Sequence, residues 1–348
     1  MAKSAKSCMV TSQVFARVGL LGNPSDGYLG KTISVSCANF WAEVHLTPAD
    51  TITFVPHAAH DLPEYSSLHE FTKQVEQQGY YGGIRLLMAM CKCFAEYCQE
   101  KGIDLSPKGF VLRYDINIPR QAGLSGSSAI ACATLNCLLQ HYDVTDRVPV
   151  TERPQLILSA EEELGITAGL QDRVIQVYGG MVFMDFNNLG ANRFQRLPLE
   201  QLPPLWLVYS NTHTPSDSGA VHTPVKQRWL AGDADIRRDM ALVASLADHG
   251  REALAKQDMK RLASLMDRNF DLRLSMFGEA ALGQTNLKMI SLARSVGAAA
   301  KFTGSGGAVV IFCPEGDIQS ARLKELCGKE GFVMVKMDVG PAVQQINL

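Results

Sequence analysis

Apolar positions along the chain fall into two periods. From Phe110 to Ile116, Phe110, Leu112, Tyr114 and Ile116 alternate with Val111, Arg113 and Asp115, the two-residue period of a strand with one buried face. Short apolar runs at Met181–Phe186, Leu205–Tyr209, Ala308–Cys313 and Val333–Asp338 predict further strands. A three-to-four spacing takes over at Leu87, Cys91, Phe94 and Cys98, at Leu262, Leu265, Asn269, Leu272 and Met276, and from Leu287 through Ile290 and Ala293 to Val296, and there it predicts helices. Pro154 suits the first turn of another helix that carries Glu161, Glu162 and Glu163. Leu197–Pro204 holds three prolines around Glu200 and Gln201, and the pattern after it is mostly helical, so a domain boundary is expected there, dividing 1–204 from 205–348. Strands and helices mixed without regular βα alternation predict the α+β class.

Composition narrows the classes. The 348 residues are 46% hydrophobic, enough for a large core or two. Lys plus Arg number 33 against 35 Asp plus Glu, a net charge of -2, which argues against nucleic acid or an anionic membrane as the main partner. No apolar run approaches the ~18 residues needed to cross a bilayer. Met1–Gln13 has Lys3 and Lys6 without the apolar core of a secretory signal, and it is too short for the transit peptide that its serines faintly suggest. The nine cysteines form no C-x-x-C pair, and Cys91, Cys93, Cys98, Cys132 and Cys137 lie in apolar helical patterns as small core residues. A reducing, cytoplasmic setting is expected.

The segment with the most chemistry is Pro119-Arg120-Gln121-Ala122-Gly123-Leu124-Ser125-Gly126-Ser127-Ser128-Ala129, between a predicted strand and a helix of small residues. Its glycines permit tight turns and close approach to a ligand. Its serines offer hydroxyls, and the following helix N-terminus presents N–H groups and positive partial charge to an anion. This describes a phosphate cradle, although the G-K-[ST] ending of a Walker loop is missing. The plainer alternative is a Gly/Ser turn with an N-capping serine.

The same segment resembles the P-x-x-x-G-L-[SG]-S-S-[SAG] loop of the GHMP kinases, small-molecule kinases typified by galactokinase, homoserine kinase and mevalonate kinase. Arg17-Val18-Gly19-Leu20-Leu21-Gly22-Asn23-Pro24-Ser25-Asp26 resembles the first motif of that superfamily, and Lys301-Phe302-Thr303-Gly304-Ser305-Gly306-Gly307-Ala308 its glycine-rich third motif. The resemblance implies a two-domain architecture, an N-terminal α+β domain and a C-terminal ferredoxin-like α/β sandwich with the active site between them. It also implies ATP bound by Pro119, Arg120, Gln121, Ala122, Gly123, Leu124, Ser125, Gly126, Ser127, Ser128 and Ala129. Gly165-Ile166-Thr167-Ala168-Gly169-Leu170-Gln171-Asp172 fits the family pattern that ends in the catalytic Asp, Asp172. A carboxylate there would accept or orient the proton of an alcohol nucleophile; its alternative role is to cap the helix starting near Arg173. Mg²⁺ is implied on Ser128 and an upstream glutamate, assigned to Glu161 with Glu162 and Glu163 left open. Arg17 is expected to be a fixed cation near the transferring phosphoryl.

For the substrate, sugar kinases of the superfamily carry Glu-His ahead of an Asp that binds ring hydroxyls. This chain keeps the Asp as Asp26 but has Asn23-Pro24 instead, which removes a negative charge that would repel an acidic sugar. Ala16–Asp26, 79–87, Asn117–Ile130, Ser159–Gly180, Pro215–Gly219 and 269–273 resemble the glucuronokinases of plants. That implies ATP-dependent phosphorylation of D-glucuronate at its anomeric hydroxyl, with the sugar acid and ATP as partners. Arg17, Asn23, Asp26, Tyr81 and Asp172 are the expected sugar contacts, and Arg120 serves either the sugar carboxylate or ATP. Open alternatives are another sugar (galactose, arabinose, fucose or a heptose phosphate), phosphorylation coupled to decarboxylation, or a sugar sensor that has lost catalysis. His57 and His60 lack a third metal ligand nearby in sequence, and Ser216-Asp217-Ser218-Gly219, flanked by His213 and His222, reads equally as a turn or a sugar contact.

Overall fold

The computed structural model describes residues 8–61, 64–78, 82–166, 168–187, 193–210 and 218–343. In chain order the elements are β1 (Val10–Leu21), β2 (Lys31–Ala49), β3 (Ile52–Phe54), α1 (Leu68–Gln78), α2 (Ile84–Glu100), β4 (Gly109–Ile116), α3 (Gly126–His141), α4 (Arg153–Glu162), α5 (Gln171–Tyr178), β5 (Met181–Asp185), β6 (Arg193–Leu197), β7 (Leu205–Ser210), α6 (Ser218–Leu230), α7 (Ala234–Ala255), α8 (Met259–Leu282), α9 (Gln284–Ser295), β8 (Ala299–Phe302), β9 (Ala308–Phe312), α10 (Asp317–Lys329) and β10 (Phe332–Lys336). The strands and helices expected from periodicity are present as β4, β5, β7, β9, β10, α2, α4, α8 and α9. Both compact units of the chain are discontinuous.

The first unit takes the chain up to Phe15, Phe40–Ile118 and Gly126–Ala168. Here the later half of β2 pairs antiparallel with β4, from Ala42 opposite Ile116 to Ala49 opposite Gly109, and β3 joins β4 in parallel. Alternation puts Phe110, Leu112 and Tyr114 in the core while Arg113 and Asp115 face water. α2, α3 and α4 pack on one another, and α3 also meets β4. α3 is buried almost all round, with Ala129, Ala131, Cys132 and Ala133 at its start, because only small side chains permit so close a fit on several sides.

The second unit takes Ala16–Asn39, Pro119–Ser125 and Gly169 onward. The early half of β2 pairs antiparallel with β5, and β5 with β6. A separate antiparallel sheet has the order β10-β7-β9-β8, and α8 and α9 pack against β8. Its core holds Val208, Phe270, Met289, Phe302, Val309 and Ile311. A second cluster joins Val225 of α6, Met240 and Val243 of α7 and Leu272 of α8 to Tyr28, which ends a short 3₁₀ turn, Ser25–Tyr28. This turn and the end of β1 carry the first motif.

Candidate active site

The loop Pro119–Ser125 has left-handed backbone at every second residue: Gln121 (φ 57°), Gly123 (φ 61°) and Ser125 (φ 64°). Alternation of this kind turns successive N–H groups toward one side and makes an anion-binding nest. Two of the three are not glycine, the local strain that collects at ligand sites. A Cβ on Gly123 would overlap the carbonyl of Gly306, so the third motif packs directly against the loop and requires the glycine. Helix α3 follows the loop at once, its positive end carrying Ser127 and Ser128.

Arg17, near the middle of β1, is only 5% exposed. Its Nε donates to Asp172 Oδ1 at 2.5 Å and its Nη2 to Asp172 Oδ2 at 2.8 Å, a two-pronged ion pair. Nη1 donates to the carbonyls of Gly123 (2.7 Å) and Thr303 (3.1 Å). One guanidinium thus ties together the first motif, the loop, the third motif and Asp172. Asp172 lies in the first turn of α5, whose N-cap is Leu170, so it does not cap the helix. Its Oδ2 also accepts from Ser125 Oγ at 2.5 Å. One turn further along α5, Gln176 Nε2 donates to the Ser125 carbonyl at 2.9 Å, so the helix grips the loop twice. Burial pushes the Asp172 carboxyl upward, but the Arg17 and Arg173 guanidiniums and the two hydrogen-bond donors outweigh it and hold the group below its ordinary value.

Asp26 behaves in the opposite way. Burial, and then the negative Asp172 nearby, raise its carboxyl from 3.8 to about 7. Gln171 Nε2 donates to Asp26 Oδ1 at 2.9 Å, while Ser34 Oγ donates to Gln171 Oε1 at 3.1 Å and fixes the amide. A Cβ on Gly169 would overlap Asp26 Oδ2, which explains the glycine three residues before Asp172. Asn23 is turned into the protein, 2% exposed, and its Oδ1 accepts from Lys301 Nζ at 2.6 Å. Lys301 also donates to the carbonyls of Gly19 (2.7 Å) and Phe302 (2.8 Å). Three acceptors for three protons hold it as an ammonium, although burial and the neighbouring Arg273 and Arg17 push its pKa well down. Arg273, fully buried, donates to the carbonyls of Gly304 (2.8 Å) and Ser305 (3.2 Å) and braces the third motif from behind.

Sequence motifs located Arg17, Asp26, the loop and Asp172. They did not single out Lys301, Gln171, Ser125 as the partner of Asp172, or Arg273, which entered only within the stretch 269–273. Tyr81 lies outside the described residues, as do His213, Ser216 and Asp217. Arg120 is half-buried in the loop. His57 and His60 stack at 4.5 Å and His57 Nε2 meets Asp115 Oδ1 at 3.2 Å, with no cluster of three or more metal-ligating side chains among the described residues.

In the first unit, Glu161 is fully buried and accepts from Ser127 Oγ at 2.7 Å, while Ser128 is 1% exposed. Glu162 and Glu163 face water, and Glu163 binds Lys92 at 2.6 Å. Hydroxyl and carboxylate oxygens are hard donors that fit Mg²⁺ and not a thiophilic metal, so Glu161, Ser128 and Ser127 suit that ion.

Residues 85–180 match the family model of the GHMP kinases N terminal domain, and 251–326 that of the GHMP kinases C terminal. The chain is 54% identical over 333 residues to probable glucuronokinase 2 of Arabidopsis thaliana, covering 94% of this chain and 90% of that protein. It is 53% identical to glucuronokinase 1 of the same plant, covering 94% and 91%. Methanococcus jannaschii mevalonate kinase shares the fold at a TM-score of 0.70 and 17% identity, over 96% of this chain and 99% of that one. Two family domains in order, and relatives that match along almost the whole sequence, mean that the chain belongs to the GHMP kinases.

Proposed function

We propose that this chain transfers the terminal phosphoryl group of ATP to the anomeric hydroxyl of D-glucuronate, giving glucuronate 1-phosphate and ADP. The observation that carries the proposal is the Arg17–Asp172–Ser125 constellation: a carboxylate held ionised and immobile beside a phosphate nest. The glucuronokinase relatives supply the sugar. In this reading 1–204 and 205–348 are the N- and C-terminal kinase domains.

ATP phosphates lie against the N–H groups of Gln121–Ser125. Ser128 and Glu161, with Ser127 beside them, would hold Mg²⁺, which would supply positive charge to neutralise phosphate oxygens. Asp172 accepts the hydrogen bond of the anomeric hydroxyl and aims its lone pair at phosphorus. Its depressed pKa makes it a weak base, which suits a loose transition state where the hydroxyl proton leaves late. Arg17 fixes the carboxylate and contributes positive charge, while Asp26 accepts from ring hydroxyls. No helix among the described residues is long and apolar enough to cross a membrane. The nine cysteines, all free thiols, suit a reducing, cytoplasmic setting.

ADP release from a panel of sugars tests the proposal. D-glucuronate is expected to exceed glucose and galactose by at least about 100-fold in kcat/KM, because a neutral sugar leaves the charge-pairing groups of the site unsatisfied. Equal efficiency on neutral sugars would overturn the uronic acid assignment.

A further inference from the structure

We infer that Lys226 is the cation that pairs with the substrate carboxylate and sets the preference for a uronic acid over a neutral sugar. The inference rests on the glucuronate reading above and assigns the group that carries it out.

The cations near Asp26 and Asp172 differ in what holds them. Arg17 is spent on Asp172 and two carbonyls. Arg173 is 1% exposed, with Nη1 on the Gly169 carbonyl at 2.7 Å and 3.6 Å from Asp172 Oδ2. Arg273 and Lys301 are fully buried and held by carbonyl oxygens. Lys226, on α6, differs from all four. It is half-buried, and among the described residues no carboxylate lies within ion-pair reach of it. Its Nζ donates to the carbonyl of Gly27, in the same 3₁₀ turn as Asp26.

The surroundings of Lys226 suit a sugar acid. Its ammonium sits 4.8 Å from the centre of the Tyr28 ring and 5.2 Å from that of Trp229, and the two rings meet edge to face at 5.7 Å. Aromatic faces desolvate the charge, which strengthens any ion pair it forms, and offer apolar walls to the C–H face of a pyranose. Burial lowers the lysine pKa while the Asp26 carboxylate acts to raise it, so the two groups sense each other. At Gly27 a Cβ would meet no heavy atom within 4 Å, which leaves room beside the turn. In a pyranuronate the anomeric carbon and the carbon that bears the carboxylate both adjoin the ring oxygen, so the two groups leave the same side of the ring only a few atoms apart. Lys226 is held beside Asp26, which in turn senses Asp172, so with the anomeric hydroxyl at Asp172 the carboxylate meets Lys226.

D-glucuronamide keeps the shape of D-glucuronate and lacks its charge. Wild type, Lys226→Gln and Lys226→Arg are compared on both sugars, with ATP affinity and melting temperature measured alongside. In Lys226→Gln, kcat/KM for glucuronate should fall about 10–100-fold, mainly through KM, while that for the amide stays within about 3-fold, and Lys226→Arg should recover most of the loss. Equal losses on the two sugars would mean that Lys226 only staples α6 to the turn, and no loss on either would mean that it is idle; either result overturns the inference. Should Lys226→Gln fail to fold, reductive methylation of wild type followed by peptide mass spectrometry decides: glucuronate must shield Lys226 where the amide does not. Wild type inert toward glucuronate but active on another sugar overturns the substrate reading, a result visible before any variant is made.

Discussion

Asp172 and Asp26 carry the same carboxyl group, yet one is held below its ordinary value and the other is raised to about 7. Asp172→Asn keeps the shape and loses the charge that Arg17 faces; kcat should drop about 10²–10⁴ with ATP affinity little changed. An Asp172→Asn enzyme of wild-type kcat would remove the carboxylate from the mechanism. In the proposed role an ionised Asp26 accepts from sugar hydroxyls with both oxygens, more strongly than its protonated form, so kcat/KM should climb through an apparent pKa near 7, and Asp26→Asn should abolish that inflection as it lowers activity. Stability runs the other way. A carboxyl raised by folding contributes stability that is complete below its unfolded value of 3.8 and is lost as pH rises through about 7. The melting temperature of Asp26→Asn should lack that decline across the same window, and a pH profile identical to wild type would contradict the assignment.

At the scale of elements, β8 is the case where position overrides composition. Lys301 reads as a charge interrupting a short apolar strand, but it is 1% exposed, and two of its three donated bonds join β8 to the first motif while the third stays within the strand at Phe302. Lys301→Met removes a costly buried charge but takes from three buried acceptors the donor they share, and the net cost should be about 2–4 kcal/mol. Urea unfolding measures it, and a variant as stable as wild type would show that the buried bonds contribute nothing. The legibility of other elements follows the same logic. β4 announces itself because one face is wet, so its apolar residues alternate. The first half of β2 is buried on both faces from Thr32 to Cys37, where Thr, Ser and Cys stand among Ile and Val, and no period survives. α7 hides for another reason: its inward positions include Ala247, Gly250 and Ala253, which contrast weakly with the polar side.

For the whole molecule, the family motifs made the roster of the site legible and left its wiring unseen. Arg17, Asp26, Ser125 and Asp172 were each present in a recognisable stretch, but neither the clamp of Arg17 on Asp172 nor the burial of Asn23 follows from spacing. Both depend on which distant backbone carbonyls converge, and no local pattern encodes that. The interleaved units have the same origin, since β1 and β2 each run from one unit into the other.

The bonds of Arg17 reach 106 residues along the chain to Gly123, 155 to Asp172 and 286 to Thr303. During synthesis that guanidinium precedes its last acceptor by on the order of tens of seconds at ribosomal speeds of about 5–20 residues per second. Until then a bare arginine waits in a growing polypeptide with its carboxylate partner unmade or unclamped. A chain stalled between Asp172 and Thr303 therefore carries every residue of the phosphate loop and the carboxylate, yet lacks an acceptor that fixes Arg17, so the clamp is complete only once the third motif has been made.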